Sequence, residues 1–245
     1  MNHVKIIRCA TAEEVGKRAA DMYTALLQEK PACLLGLATG STPLPLYREL
    51  VRRCESGELD FSRVRSANLD EYKGLSGDHP QSYRYFMNEN LFKHISIDPA
   101  NTMVPSGLVE DADAMCAAYE AAIEAMGGID IQLLGIGHDG HIGFNEPCDH
   151  FPAATHEVEL EEITRQANKR FFNSIDEVPT AAYTMGCGTV MAARKVLLIA
   201  TGKDKAEIVK QSFFGPVTPM VPASILQFHP DCTVIVDEAA ASALK

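Results

Sequence analysis

The sequence predicts an α/β domain in which a mostly parallel sheet of about seven strands is flanked by helices. Three observations predict it. Short apolar runs alternate with longer amphipathic stretches along the whole chain, as strands and crossover helices do in a parallel sheet. Capping residues, prolines and glycines punctuate the boundaries between the two kinds of run. Finally, 245 residues with 46% hydrophobic and 22% charged side chains are enough for one sizeable core.

Strands are expected at 4–7, 33–37, 64–68, 102–104, 129–134, 196–200 and 233–236, most of them short apolar runs. The stretch 12–28 opens with Thr11 and Glu14 at capping-box spacing, which marks a helix start. The stretch 43–54 follows Ser41 and Thr42 and begins with Pro43, whose fixed φ and missing N–H suit the first helical position. A third helix, 112–126, runs into Gly127-Gly128, where glycine can adopt the left-handed conformation that closes a helix. A fourth is expected at 203–213. The segment 148–178 is polar, lacks a clean period and spans Pro152, so it is taken as a candidate active-site lid within a single domain covering 1–245.

A formal net charge of -11 leaves no basic face for a nucleic-acid backbone, so any anion must be held by a local site. Seven scattered cysteines, with no C-x-x-C pair, are expected to be reduced thiols in a cytoplasmic protein. No run approaches the ~20 apolar residues of a membrane span, and the first residues do not look like a signal sequence. No membrane partner is expected.

Ligands of an open parallel sheet sit outside the carboxyl ends of its strands, so the loops there matter most. In "LGLATGSTP", 35–43, a strand runs into Gly40, Ser41 and Thr42 and then a helix, which directs amide groups, hydroxyls and the helix dipole at an anion. The lysine of a nucleotide P-loop is missing. In "NLDEY", 68–72, Asp70 and Glu71 follow a strand; a carboxylate in such a crevice can take a proton from carbon next to a carbonyl or imine. By itself, an Asp-Glu pair after a strand is more often a solvated turn.

The third loop, "GIGHDGHIGFNEP" at 135–147, satisfies G-x-G-x-x-G, but Gly143 and Pro147 break the helix a dinucleotide site requires after Gly140. A metal site needs three or four convergent ligands, and His138, His141, His150 and His156 share no helical face. Acid/base chemistry is left. His141 is expected to work near neutral pH, with Asp139 and Glu146 holding its tautomer and sharing its proton.

Together, "LATGSTP", "NLDEY" and "GIGHDGHIGFNEP", in this order and with "TRQANKRFF" (164–172) and "ATGKDKAE" (200–207), resemble the glucosamine-6-phosphate deaminase family over the full chain. The resemblance implies a single Rossmann-like domain with a lid. The reaction implied is conversion of glucosamine 6-phosphate and water to fructose 6-phosphate and ammonia, with no organic cofactor and no metal. It makes Asp70 the base that moves a proton between carbons, and assigns ring opening to His141 assisted by Asp139 and Glu146. The phosphate would rest on Gly40, Ser41 and Thr42, with Arg170 and Lys205 reaching it.

Members activated by N-acetylglucosamine 6-phosphate use an Arg and a Lys after the catalytic loop, together with a longer C-terminal tail. This chain has Ala154, His156, Val158 and Glu159 in that stretch, so no such activation is expected, and a monomer or small homo-oligomer is favoured. Alternatives are a deaminase for galactosamine 6-phosphate, which would use the same residues, and a 6-phosphogluconolactonase, which would not need a carbon base at Asp70. A sugar-phosphate sensor of a transcription regulator would need a DNA-binding segment before the first strand. His138 has no assigned role.

Overall fold

Continuously apolar strands need cover on both faces, and crossover helices supply it. The computed structural model describes residues 4–160, 165–166, 169, 172 and 174–244. In chain order the elements are β1 (Lys5–Cys9), α1 (Ala12–Glu29), β2 (Leu34–Leu37), α2 (Leu44–Glu55), β3 (Arg65–Asn68), β4 (Asp70–Tyr72), α3 (Tyr83–Asn90) and β5 (Thr102–Met103). They continue with α4 (Ala112–Ala125), β6 (Ile131–Leu134), β7 (His156–Glu159), β8 (Ala181–Thr184), α5 (Cys187–Met191), β9 (Val196–Ala200), α6 (Ala206–Phe214) and β10 (Cys232–Asp237). Short 3₁₀ turns connect several of them.

Seven strands form one sheet in the order β1-β10-β9-β6-β2-β3-β5, and every neighbouring pair is parallel. These are the seven expected runs, with ends within two residues of the expected ones. From β2 the chain builds outward to β3 and β5, then returns to place β6 on the other side of β2. The switch point therefore lies between β2 and β6, and the crevice outside their carboxyl ends is where this architecture takes ligands. Gly36 of β2 packs against the Gln132 side chain of β6; a Cβ there would lie 2.0 Å from Gln132 Oε1.

The sheet is covered by helices with clear apolar stripes. On α1 the buried residues Val15, Ala19, Tyr23, Leu26 and Leu27 recur at helical spacing. Burial of each large apolar side chain contributes roughly 1.5–3 kcal/mol. Thr11 Oγ1 accepts the Glu14 N–H at 3.2 Å, while the Glu14 carboxylate accepts from Ala10 N, one residue earlier than a reciprocal capping box places it. Pro43 caps α2 and does not open it, and Lys203–Lys205 form a 3₁₀ turn ahead of α6. Among the described residues no helix is long and apolar enough to cross a membrane.

A second sheet was not expected. Strands β4, β8 and β7 pair antiparallel in that order, with Asp70 opposite Thr184 and His156 also opposite Thr184. Its apolar face packs into a small separate cluster of Tyr72, Phe144, Leu160 and Ala182. The candidate lid segment contributes β7 and the turn Ile175–Glu177; residues 161–164, 167–168, 170–171 and 173 of it lie outside the described residues.

Candidate active site

Three loops reach the carboxyl ends of the strands, each aimed by local packing. After β2, Tyr47 of α2 donates its hydroxyl to Ala38 O at 2.5 Å and receives the Ala38 N–H at 3.3 Å, fixing the end of the strand. The chain then turns at Gly40, where φ is +100° and nothing lies within 4 Å of a Cβ position. No side chain caps α2, so its leading amides face the loop formed by Gly40, Ser41 and Thr42. Within the turn the Leu44 N–H donates to Ser41 O at 3.3 Å.

After β3, the two adjacent carboxylates part company. Glu71 receives three backbone N–H groups, from Tyr72 at 2.9 Å, Tyr83 at 2.8 Å and Arg84 at 2.9 Å. It thereby satisfies the first amides of α3, while Ser82 receives the Tyr85 N–H. Burial pushes the Glu71 carboxyl up and these donors hold part of the rise back. Asp70 has no such support. It is buried, and its Oδ1 has no hydrogen-bond partner among the described residues. Burial pushes the Asp70 carboxyl up to about 8; the Glu71 charge adds to the rise and the His141 charge opposes it.

The loop after β6 is shaped by its glycines. A Cβ at Gly137 would lie 2.3 Å from the His141 ring, so this glycine makes room for the loop's own histidine. The Gly137 N–H closes the turn on His141 O at 2.9 Å. Gly143, at φ +60°, passes so close to the second sheet that a Cβ would lie 2.7 Å from Thr184 Oγ1 and 3.7 Å from Asp70 Oδ2. Phe144 donates its N–H to Thr184 Oγ1, and buried Asn145 donates its amide to Ile142 O and Met185 O, both at 2.8 Å. Asn145 was not foreseen as a site residue. It ties the loop to the end of β8, a role that only the tertiary contact reveals.

His141 Nδ1 lies 2.8 Å from Asp139 Oδ1 and 3.3 Å from Glu146 Oε2. Neither contact meets strict hydrogen-bond alignment, but both carboxylates lie against the same ring nitrogen. Burial would lower the imidazole, but the two carboxylates outweigh it and hold His141 up at about 9. The same contacts hold Asp139 well below the usual carboxylate range against the effect of its own burial. A histidine working near neutral pH was expected; two converging anions make it an imidazolium instead. The three donor atoms also lie within 4.8 Å of one another, a separation a metal ion could bridge.

Lys205, from the turn before α6, completes the described site. Its ammonium is half-buried, burial lowers its pKa, and the charges of Asp204 and then Asp139 oppose that shift. Lys205 has no ion-pair partner among the described residues. Arg170 lies outside them. His138 faces away from this chemistry, with Nε2 2.8 Å from Asp204 Oδ2 in an exposed pair.

Comparison with known proteins gives a consistent result. The family model described as glucosamine-6-phosphate isomerases/6-phosphogluconolactonase matches residues 8–235. A glucosamine-6-phosphate deaminase of Clostridium perfringens is 54% identical over 242 residues, covering 99% of this chain and all of the relative. One of Lachnoclostridium phytofermentans is 55% identical over 232 residues, covering 95% of this chain and 98% of the relative. Among solved structures, a monomeric glucosamine-6-phosphate deaminase superimposes with a TM-score of 0.94 at 46% identity, covering 98% of this chain and 99% of that one. A 6-phosphogluconolactonase from Trypanosoma cruzi shares the fold, with a TM-score of 0.80 at 21% identity over 98% and 97% of the two chains.

Proposed function

The chain belongs to the glucosamine-6-phosphate isomerase/6-phosphogluconolactonase family, and from that premise we propose that it converts glucosamine 6-phosphate and water to fructose 6-phosphate and ammonia. One observation carries this reading above the others: the unsupported, buried Asp70 carboxyl, raised to about 8, beside a histidine held charged by two carboxylates. A lactone hydrolase has no use for a desolvated carbon base. An amino-sugar isomerase does.

The chemistry follows from the protonation states. Ring opening needs a proton delivered to the ring oxygen, and the His141 imidazolium is the group that carries one. The proton of the anomeric hydroxyl goes to a carboxylate. Asp139 and Glu146, the carboxylates that flank His141, assist this step. Asp70 then removes the proton from the nitrogen-bearing carbon and returns it to the former aldehyde carbon, so that an enolamine becomes a ketimine. Water adds to the ketimine carbon and ammonia leaves.

The phosphate rests on the amides and hydroxyls of Gly40, Ser41 and Thr42, with Lys205 and Arg170 as cations. Segment 148–178 closes over the substrate as a lid. The seven cysteines are all free thiols, which supports a cytoplasmic setting. The related monomeric deaminase supports a monomer or small homo-oligomer, and no activation by N-acetylglucosamine 6-phosphate is expected. Ammonia release from glucosamine 6-phosphate, measured against its galacto epimer, tests the reading. Preference for the galacto form would reverse the substrate choice, and absence of ammonia from both would end the deaminase reading.

A further inference from the structure

We propose that His138 is a positioning residue for the phosphate end of the site: it holds the Asp204 carboxylate on the exposed side of the turn that carries Lys205, and so keeps the lysine's charge available to the anion. This rests on the reading that Lys205 meets the substrate phosphate.

The turn Lys203–Lys205 has no side-chain cap and hangs from Gly202, whose N–H is received by both oxygens of Asp237 at 3.1 Å. Its base is therefore fixed. Its free edge carries the contact of His138 Nε2 with Asp204 Oδ2 at 2.8 Å, which joins the loop after β6 to the turn. The other oxygen, Asp204 Oδ1, lies 2.6 Å from where a Cβ on Gly202 would stand, so the carboxylate folds back over a bare glycine with φ +96°.

Asp204 precedes Lys205 directly, and among the described residues the two make no ion pair. An aspartate released from His138 is the carboxylate next in line to pair with that half-buried ammonium. It would also set a negative charge beside a bound phosphate. The charged groups around the pair are Lys203, Asp204 and Lys205 on the turn, Asp139 on the loop and Asp237 at the base. The His138 ring nitrogen engages the one carboxylate of this group that serves neither the turn base nor the loop of Asp139, His141 and Glu146.

The test is steady-state kinetics with glucosamine 6-phosphate, together with calorimetric binding of inorganic phosphate. His138→Gln is expected to raise KM and weaken phosphate binding by about two- to fivefold, the scale of an exposed ion pair, with kcat unchanged. His138→Lys, which keeps a donor within reach of Asp204, is expected to stay near the unaltered protein. Asp204→Asn placed in the His138→Gln background is expected to restore both quantities, because the offending charge is gone. An unchanged KM in His138→Gln overturns the inference, as does a defect that persists in the double variant. Lys205→Met separates the two levels: if it leaves phosphate binding intact, the phosphate reading itself fails. If it weakens binding while His138→Gln does nothing, only the role of His138 fails.

Discussion

Replacing Asp70 with asparagine is expected to abolish turnover and yet to stabilise the fold at neutral pH. The carboxyl moves from an ordinary 3.8 to about 8, chiefly through burial. Because the folded value lies above the unfolded one, the native state prefers the neutral acid. Below pH 3.8 both states are protonated and burial costs nothing. As pH rises the unfolded chain ionises first, and the penalty grows until it levels off above about 8. At pH 7 about three pH units of this difference are in force, at about 1.4 kcal/mol each, or about 4 kcal/mol.

Asparagine removes that penalty but brings a buried amide donor whose lost hydration costs about 1–3 kcal/mol. The net gain is about 1–3 kcal/mol. At about 2–4 °C per kcal/mol for a chain of this size, Tm should rise by roughly 2–12 °C at pH 7. At pH 4.5 the unaltered protein has recovered most of the penalty, so the variant's advantage should vanish or change sign. Calorimetric melts of both proteins at the two pH values check this, alongside ammonia release. A Tm difference that is the same at both pH values, or a less stable variant at pH 7, would mean that a partner holds Asp70 as an anion. The desolvated-base reasoning would then be wrong.

The adjacent carboxylate should behave in the opposite way: Glu71→Ala strips three backbone amides of their acceptor and is expected to cost about 2–4 kcal/mol, read as a lower Tm at neutral pH. Activity needs Asp70 to lose a proton and His141 to keep one, so kcat/KM against pH should form a bell with its maximum between about 8 and about 9. A maximum near pH 6 would contradict both assignments. His141→Gln should slow the closed-ring substrate more than an open-chain analogue; equal losses on the two would remove His141 from ring opening.

The main sheet was legible because most of its strands, covered on both faces, are written as apolar runs, and the helices between them carry local start and stop signals. The second sheet was not. Its strands are three or four residues long, "HEVE" has Val158 as its one apolar residue, and the partner that makes a strand of "DEY" is β8, far along the chain. Nothing local encodes that pairing. The site divides in the same way. Glycines, hydroxyls and carboxylates marked the three loops, but adjacent acids look alike until Tyr83 and Arg84 supply amides to one of them. That Gly137 makes room for His141 is visible only in the folded loop. The charge state of that histidine is a balance between burial and two converging anions, which spacing alone cannot evaluate.

The two shifted groups are coupled, and the sign of the coupling orders the proposed reaction. The His141 charge lowers the Asp70 carboxyl and so opposes its burial. While the imidazolium holds its proton, Asp70 is ionised more easily but is the weaker base. Once His141 has passed its proton to the ring oxygen, that stabilising charge is gone. Asp70 becomes a stronger base at the moment when the open chain presents its acidified carbon. The close pass of Gly143 against the second sheet brings the two groups within electrostatic reach. A side chain at 143 would therefore do more than crowd Thr184: by moving the loop away from Asp70 it would weaken the coupling between ring opening and proton transfer.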